Sequence, residues 1–242
     1  MTENLCDALA DLIRTSIDDL PDLQIKETDH SVIEHNQVTI HNEMWKCKGV
    51  RKLHLERANT DKIEIIHCVF YPDPEYSLPI FGCDIIQTPT TITAAIVDVS
   101  PVHGMDLDDQ LSVVSKKYNF KDERPLPLWA ESIFSPHCKF ARLKDQEARD
   151  DYFNVVKEYL KIYCDAVKVG KKDPHSHWIP TMKRLDDQTW YCISQRKNKK
   201  TKAVLSQWFN TEWADKYLSL IHISEPTRLL SSGGGGVGGE KK

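Results

Sequence analysis

Glycine is scarce in this chain until its end. Of 10 glycines in 242 residues, six lie between Gly233 and Gly239. The other four, Gly49, Gly82, Gly104 and Gly170, form neither a G-x-G-x-x-G turn nor a P-loop. A nicotinamide or flavin site of the Rossmann type is therefore not expected. The seven cysteines, Cys6, Cys47, Cys68, Cys83, Cys138, Cys164 and Cys192, include no C-x-x-C pair. Their spacing suits neither a zinc site nor an iron–sulfur cluster. Most have apolar neighbours and read as buried free thiols, which points to a reducing, cytoplasmic setting. No run reaches 18 apolar residues, so no membrane span is expected. The start, MTENLCDALADL, carries acids and no basic region, unlike a signal peptide. A positive excess is also missing. The formal net charge is −4, so nucleic acid is not an expected partner and any basic surface must be local.

What is present reads as a soluble core. Hydrophobic residues make up 40% and charged residues 28%. Leu5, Leu9, Leu12, Ile13 and Leu20 mark a helix that Pro21 stops. From Gln37 to Leu143 the segments QVTIHN, RKLHLE, IEIIHCVF, PIFGCDII, TITAAIVDVS and HCKFARL read as short strands with turn-like links. Such a meander predicts an antiparallel sheet. Leu107, Leu111, Val114 and Tyr118 share one helical face. DYFNVVKEYLKIYCDAV is a second clear helix, and two more follow Lys200 with Leu205, Trp208, Trp213 and Tyr217. The expected fold is an α/β/α sandwich, a central, largely antiparallel β-sheet flanked by helices on both faces, in one domain over residues 1–218. SLIHISEPTR, from Ser219 to Arg228, reads as an in-frame translation of a DNA-sequencing adapter. Residues 219–242 are accordingly expected to be a non-native, disordered tail.

Several polar residues sit where a strand should be apolar. In PIFGCDII, Asp84 shares its side with Gly82 and Ile86. In IEIIHCVF, His67 shares a face with Ile63, Ile65 and Val69, and in RKLHLE, Lys52, His54 and Glu56 lie together. If these strands are neighbours, one face carries His54, Glu56, His67 and Asp84, a set able to move protons near neutral pH. Periodicity alone also allows a solvated sheet face, or a metal site drawn from the same four residues. HSH at His175–His177 looks like a metal clip or an exposed loop. Two local basic groups stand out, Arg196–Lys202 and Lys168–Lys172.

The motifs RKLHLE, IIHCVFYPDPEY, SLPIFGCDI, TAAIVDVSP, ERPLPLW, YCISQRKNKKTKAVL and EWADKYLS closely resemble those of the ferredoxin-dependent bilin reductases. The resemblance runs from about residue 37 to 218. It implies biliverdin IXα bound between one sheet face and the C-terminal helices. No bound cofactor is implied, only single electrons from reduced ferredoxin, a [2Fe-2S] protein. By the same resemblance Asp84 is the central proton donor, His67 its partner, Glu56 the acid beside the D-ring vinyl group, and His54 a member of that network. Val69, Trp129, Tyr191 and Asn198 would line the pocket, and Thr93, Arg124, Gln195 and Lys200 would meet the propionates. Thr93 stands where the family usually has Ser. Glu56 favours four-electron reduction to phycocyanobilin, with phycoerythrobilin as the alternative product. A haem oxygenase would supply the substrate, and a basic group would dock ferredoxin onto a monomer. A bilin carrier without turnover is the rival class.

Overall fold

The computed structural model describes residues 4–105, 107–174, 176 and 178–222. His175, His177 and residues 223–242 lie outside the described residues, and with them the HSH motif and most of the tail. In chain order the elements are α1 (Leu5–Ile17), β1 (Gln24–Ile25), β2 (Val32–His35), β3 (Val38–Cys47), β4 (Val50–Asn59), β5 (Glu64–Pro72), β6 (Ile80–Gln87), β7 (Ile92–Ser100), α2 (Asp108–Ser115), α3 (Leu128–Glu131), β8 (Lys139–Leu143), α4 (Gln146–Val169), α5 (Trp178–Gln195), α6 (Lys199–Trp208) and α7 (Thr211–His222).

The eight strands form one antiparallel sheet in the order β1-β3-β4-β5-β6-β7-β8, with β2 also paired to β3. Short hairpin links join β3 through β7 in sequence, while β8 returns beside β7 after the longer segment that carries α2 and α3. Strand alternation sorts the side chains into two faces. Leu53, Leu55, Ile66, Cys68, Phe70, Phe81, Cys83, Ile85 and Val97 point to one side. There they meet α1, α2 and α4 in the main core. Helix α4 is capped by Asp145, whose carboxylate accepts from Ala148 N at 2.9 Å. Its buried residues Tyr152, Val155, Val156, Tyr159, Leu160, Tyr163 and Val167 follow the helical repeat.

The opposite face meets α3 and α5 through Val69, Tyr71, Ile80, Ile133, Tyr191 and Cys192. The α/β/α sandwich is therefore present, with helices on both sides. Helix α5 is an addition to the expected elements. Its buried positions include Arg184, Gln188 and Ser194, while Trp178, Ile179, Trp190 and Ile193 are exposed. A hydrophobic-repeat reading finds no inward apolar stripe there.

The described residues divide into two compact units, one up to Lys197 and one from Asn198. In the second unit α6 and α7 form a helical hairpin, closed by Lys202 on Asp215 at 2.6 Å. Phe209 and Trp213 stack at 3.8 Å, and Trp213 and Tyr217 at 4.7 Å. Helix α7 continues to His222 with Ile221 buried, so residues 219–222 are helical rather than part of a disordered tail.

Candidate active site

Register brings the predicted polar residues into rows across the second face. Glu56 of β4 stands opposite His67 of β5, and His67 opposite Asp84 of β6. The row continues to Ile96 of β7 and Phe140 of β8, and in the other direction to Asn42 of β3. A parallel row holds Met44, His54, Val69, Gly82 and Asp98. Directly opposed side chains on one face lie about 5 Å apart at Cβ, so His54, Glu56, His67, Val69 and Asp84 form one cluster.

His67 Nδ1 and Asp84 Oδ1 are 2.5 Å apart. The His67 side chain is 17% exposed and that of Asp84 is 40% exposed, so Asp84 marks the open side of the cluster rather than a buried strand position. Burial lowers the pKa of His67. The Asp84 charge, the hydrogen bond to it and the Glu56 charge more than offset that, and the net shift is upward from 6.5. With the carboxylate as acceptor, His67 Nδ1–H donates to Asp84, an arrangement that favours the protonated imidazole.

Glu56 and His54 are both buried. The His54 and His67 rings meet edge to face at 5.9 Å. His54 Nε2 is 2.7 Å from Asn42 Oδ1, and Asn42 Nδ2 donates to His30 O at 2.8 Å. That second bond orients the amide, so its oxygen faces His54 and only accepts. The proton of His54 is thereby placed on Nε2. Asn42 was not singled out from sequence. Alternation with Val38 and Ile40 puts it on their strand face, but its pairing with His54 is visible only in the fold. Behind the row, Tyr152 of α4 sends its hydroxyl to Ile96 O at 2.7 Å, with Asp84 O at 3.3 Å. The core thus pins the backbone under the acid.

Helix α5 supplies the adjoining wall. Tyr191 is buried, and Gln195 Nε2 donates to its hydroxyl at 3.1 Å. A Cβ on Gly82 would sit 3.2 Å from the Tyr191 hydroxyl, so the glycine admits that close approach. Tyr71, Tyr191, Phe134 and Trp129 form a run of edge-on rings at 6.1–6.2 Å. Polar clamps hold the helix on the sheet. Arg51 Nη2 donates to Gln188 Oε1 at 2.7 Å, Arg184 Nε to Pro74 O at 2.7 Å, and Arg184 also pairs with Asp173. Lys52, on the face of His54 and Glu56, is buried, and its pKa falls to about 8, mainly through burial.

Arg124 lies at the β8 edge of the first row. Its guanidinium covers the Phe140 ring at 4.9 Å and donates to Thr93 O at 3.1 Å. The Thr93 hydroxyl donates to Ile86 O at 3.2 Å. Asn198 and Lys200 belong to the second unit. Asn198 caps α6 by accepting from Lys200 N at 3.2 Å, and Lys200 is exposed. Among the described residues no group of three or more His, Cys, Asp or Glu is placed to hold a metal ion. No described helix is long and apolar enough to cross a membrane.

Comparison with known proteins adds what geometry alone does not. Residues 10–221 match the family model described as ferredoxin-dependent bilin reductase. The phycocyanobilin:ferredoxin oxidoreductase of Prochlorococcus marinus (strain MIT 9303) is 36% identical over 241 residues, covering 93% of this chain and 88% of that protein. The enzyme of the same name from Synechococcus sp. (strain CC9902) is 37% identical over 235 residues, with 92% and 93% covered. The crystal structure of tomato phytochromobilin synthase in complex with biliverdin superposes with a TM-score of 0.77 at 14% identity, over 90% of this chain and 82% of that one. With the family match and these identities, the chain belongs to the ferredoxin-dependent bilin reductases, oxidoreductases that draw on ferredoxin, and is most like the phycocyanobilin:ferredoxin oxidoreductases.

Proposed function

We propose that this chain reduces biliverdin IXα to phycocyanobilin in four single-electron steps, each matched by a proton. The observation that carries this reading is the 2.5 Å contact between His67 and Asp84, with Glu56 directly opposite His67. Neutral biliverdin is a poor electron acceptor. A proton from the Asp84–His67 pair makes it positive, and an entering electron then meets favourable charge. Proton and electron transfers alternate through bilin radicals, and an apolar wall such as Val69 and the aromatic run keeps water from them. Buried Glu56 is the acid for the D-ring vinyl group, with His54 supporting it. Arg124 at the row's edge, with Thr93, Gln195 and Lys200, is assigned to the propionates, since a guanidinium pairs well with a carboxylate. Trp129 and Tyr191 bound the pocket, and Asn198 is assigned to the substrate from the motif.

Ferredoxin is the external electron donor, and its docking is assigned to a local basic surface. Arg196 and Lys197 are exposed at the end of α5, with Lys197 over the Trp190 ring at 4.5 Å. Exposed charges of this kind speed encounter with an acidic partner, and the rate should fall as salt rises.

The test is anaerobic. The chain is mixed with biliverdin, a [2Fe-2S] ferredoxin and a reducing system, and the product is chromatographed against authentic bilins. Phycocyanobilin is expected. Phycoerythrobilin would move the reduction away from the D-ring and sink the Glu56 assignment. Binding with no later spectral change would make the protein a carrier. Glu56→Gln should leave the D-ring vinyl group unreduced.

A further inference from the structure

The second face holds another carboxylate, in the motif TAAIVDVSP. Asp98 of β7 stands opposite Gly82, in the row of Val69 and His54. It is 1% exposed. Its Oδ2 accepts from Ser100 Oγ at 2.5 Å and from Ser135 N at 3.0 Å, and its Oδ1 accepts from Ser135 Oγ at 2.5 Å. Two of these three bonds leave the strand and seize the turn between α3 and β8. Ser135 Oγ also accepts from His137 N at 3.1 Å, which ties down the far side of that turn. A carboxylate is costly to bury without such donors. Burial still lifts its pKa to about 6 against the hydrogen bonds from both serines.

The turn leads to the side chains packed around Tyr191. Ile133 and Phe134, adjacent to Ser135, line a cavity of about 290 Å³ with Ile80, Val102, Trp190 and Tyr191. Phe134 meets Tyr191 edge-on at 6.1 Å. Tyr191 in turn covers Gly82, two residues before Asp84. The phenol is pushed well above its usual pKa, first by burial, with the charges of Asp84 and Asp98 adding to it. Tyr191 thus feels both acids. The contacts close a circuit from β7 through the turn and α5 back to β6.

We propose that Asp98 is a positioning residue of this enzyme: it clamps the turn at Ser135, and through Phe134 and Tyr191 that turn sets the wall over Gly82 beside Asp84. The proposal rests on the bilin reading of this face. Asp98 touches no reacting atom in this scheme. It decides how far the α5 wall stands from the proton donor, and hence how closely a flat pigment is held there.

Asp98→Ala, Asp98→Asn and Ser135→Ala are made in the full chain and titrated anaerobically with biliverdin. Asp98→Ala is expected to raise the Kd about tenfold, the size of one lost charged hydrogen bond. It should also shift the absorption of the bound pigment. Ser135→Ala and Asp98→Asn keep part of the clamp and should move both readouts less, in the same direction. A second measurement needs no pigment. In a 3-fluorotyrosine-labelled chain, the Tyr191 fluorine resonance, assigned with Tyr191→Phe, should shift in all three variants. If Asp98→Ala does not fold, Ser135→Ala decides. An unmoved Tyr191 resonance with unmoved pigment affinity in folded variants overturns the proposal, whatever happens to the Tm. A parent chain that takes up no biliverdin overturns the bilin reading instead, and the Tyr191 resonance tells the two failures apart.

Discussion

Helices α4 and α5 cover opposite faces of one sheet, and they bury opposite chemistry. Helix α4 presents Tyr152, Val155, Val156, Tyr159, Leu160, Tyr163 and Val167 to the core. Helix α5 turns Arg184, Gln188 and Ser194 inward and leaves Trp190 and Ile193 half in water. Apolar burial is non-directional and strong, so the α4 side supplies stability and tolerates small shifts. Hydrogen bonds from Arg51 and Arg184 are directional, so the α5 side supplies position. A proton-transfer site needs position within a few tenths of an ångström more than it needs stability. The site lies on the face held by polar clamps.

The sharpest way to break this contrast is a variant on each face. Asp84→Asn should keep biliverdin binding and lower turnover by roughly 10²–10⁴, the usual worth of a positioned acid. Its urea midpoint should stay near that of the parent. Anaerobic single-turnover spectra read the first, and equilibrium unfolding the second. Normal product formation would remove Asp84 from the mechanism. Phe70→Ala on the α4 side should do the reverse. Phe70 is fully buried, so its loss should cost about 3–5 kcal/mol of stability, with the pigment spectrum of the remaining folded protein unchanged.

Arg51→Met tests the clamps. It removes the donor to Gln188 and should cost about 1.5–3 kcal/mol. It should also weaken biliverdin binding, because α5 carries Tyr191. Stability loss with unaltered binding would separate the clamps from the site. Lys52→Met is expected to stabilise the protein by up to roughly 3 kcal/mol at neutral pH. The sign follows from the lowered pKa of about 8. Between pH 8 and 10.5 the unfolded chain binds more protons at Lys52 than the folded one, so parent stability rises with pH there. The variant should lack that rise in urea unfolding followed from pH 7 to 11.

The smallest effect concerns His67. Its folded pKa is raised, so the His67–Asp84 pair contributes fully below the unfolded value of 6.5. That contribution fades as pH rises through the folded pKa. After allowance for solvent at Asp84 it should be about 1 kcal/mol. His67→Gln should therefore differ most from the parent at pH 5–6, and the gap should narrow above neutrality.

Much of this is legible in the sequence. The inward stripe of α4 and the alternation of β4, β5 and β6 put His54 and Glu56 on one strand face, and likewise His67 with Val69. Helix α5 was not legible, because Arg184, Gln188 and Ser194 share its inward side with Tyr191 and Cys192 while Trp178, Ile179, Trp190 and Ile193 are exposed. Asp98 carried the same sign as Asp84, an acid inside an apolar strand, but Ser135 lies 37 residues away, and nothing local announces the clamp. Asn42 was hidden for the same reason, since its role depends on pairing with His54 across β3 and β4.

By itself, then, the sequence determined which residues share a face, because side-chain direction repeats every two residues in a strand and every 3.6 in a helix. Motif resemblance carried the family. The tertiary structure alone decided which residue stands opposite which. Register placed Glu56 against His67 and His67 against Asp84. Polar clamps then set Tyr191 over Gly82. Those choices turn on hydrogen bonds between groups far apart in the chain, whose strength depends on distance and angle, and no local pattern encodes either.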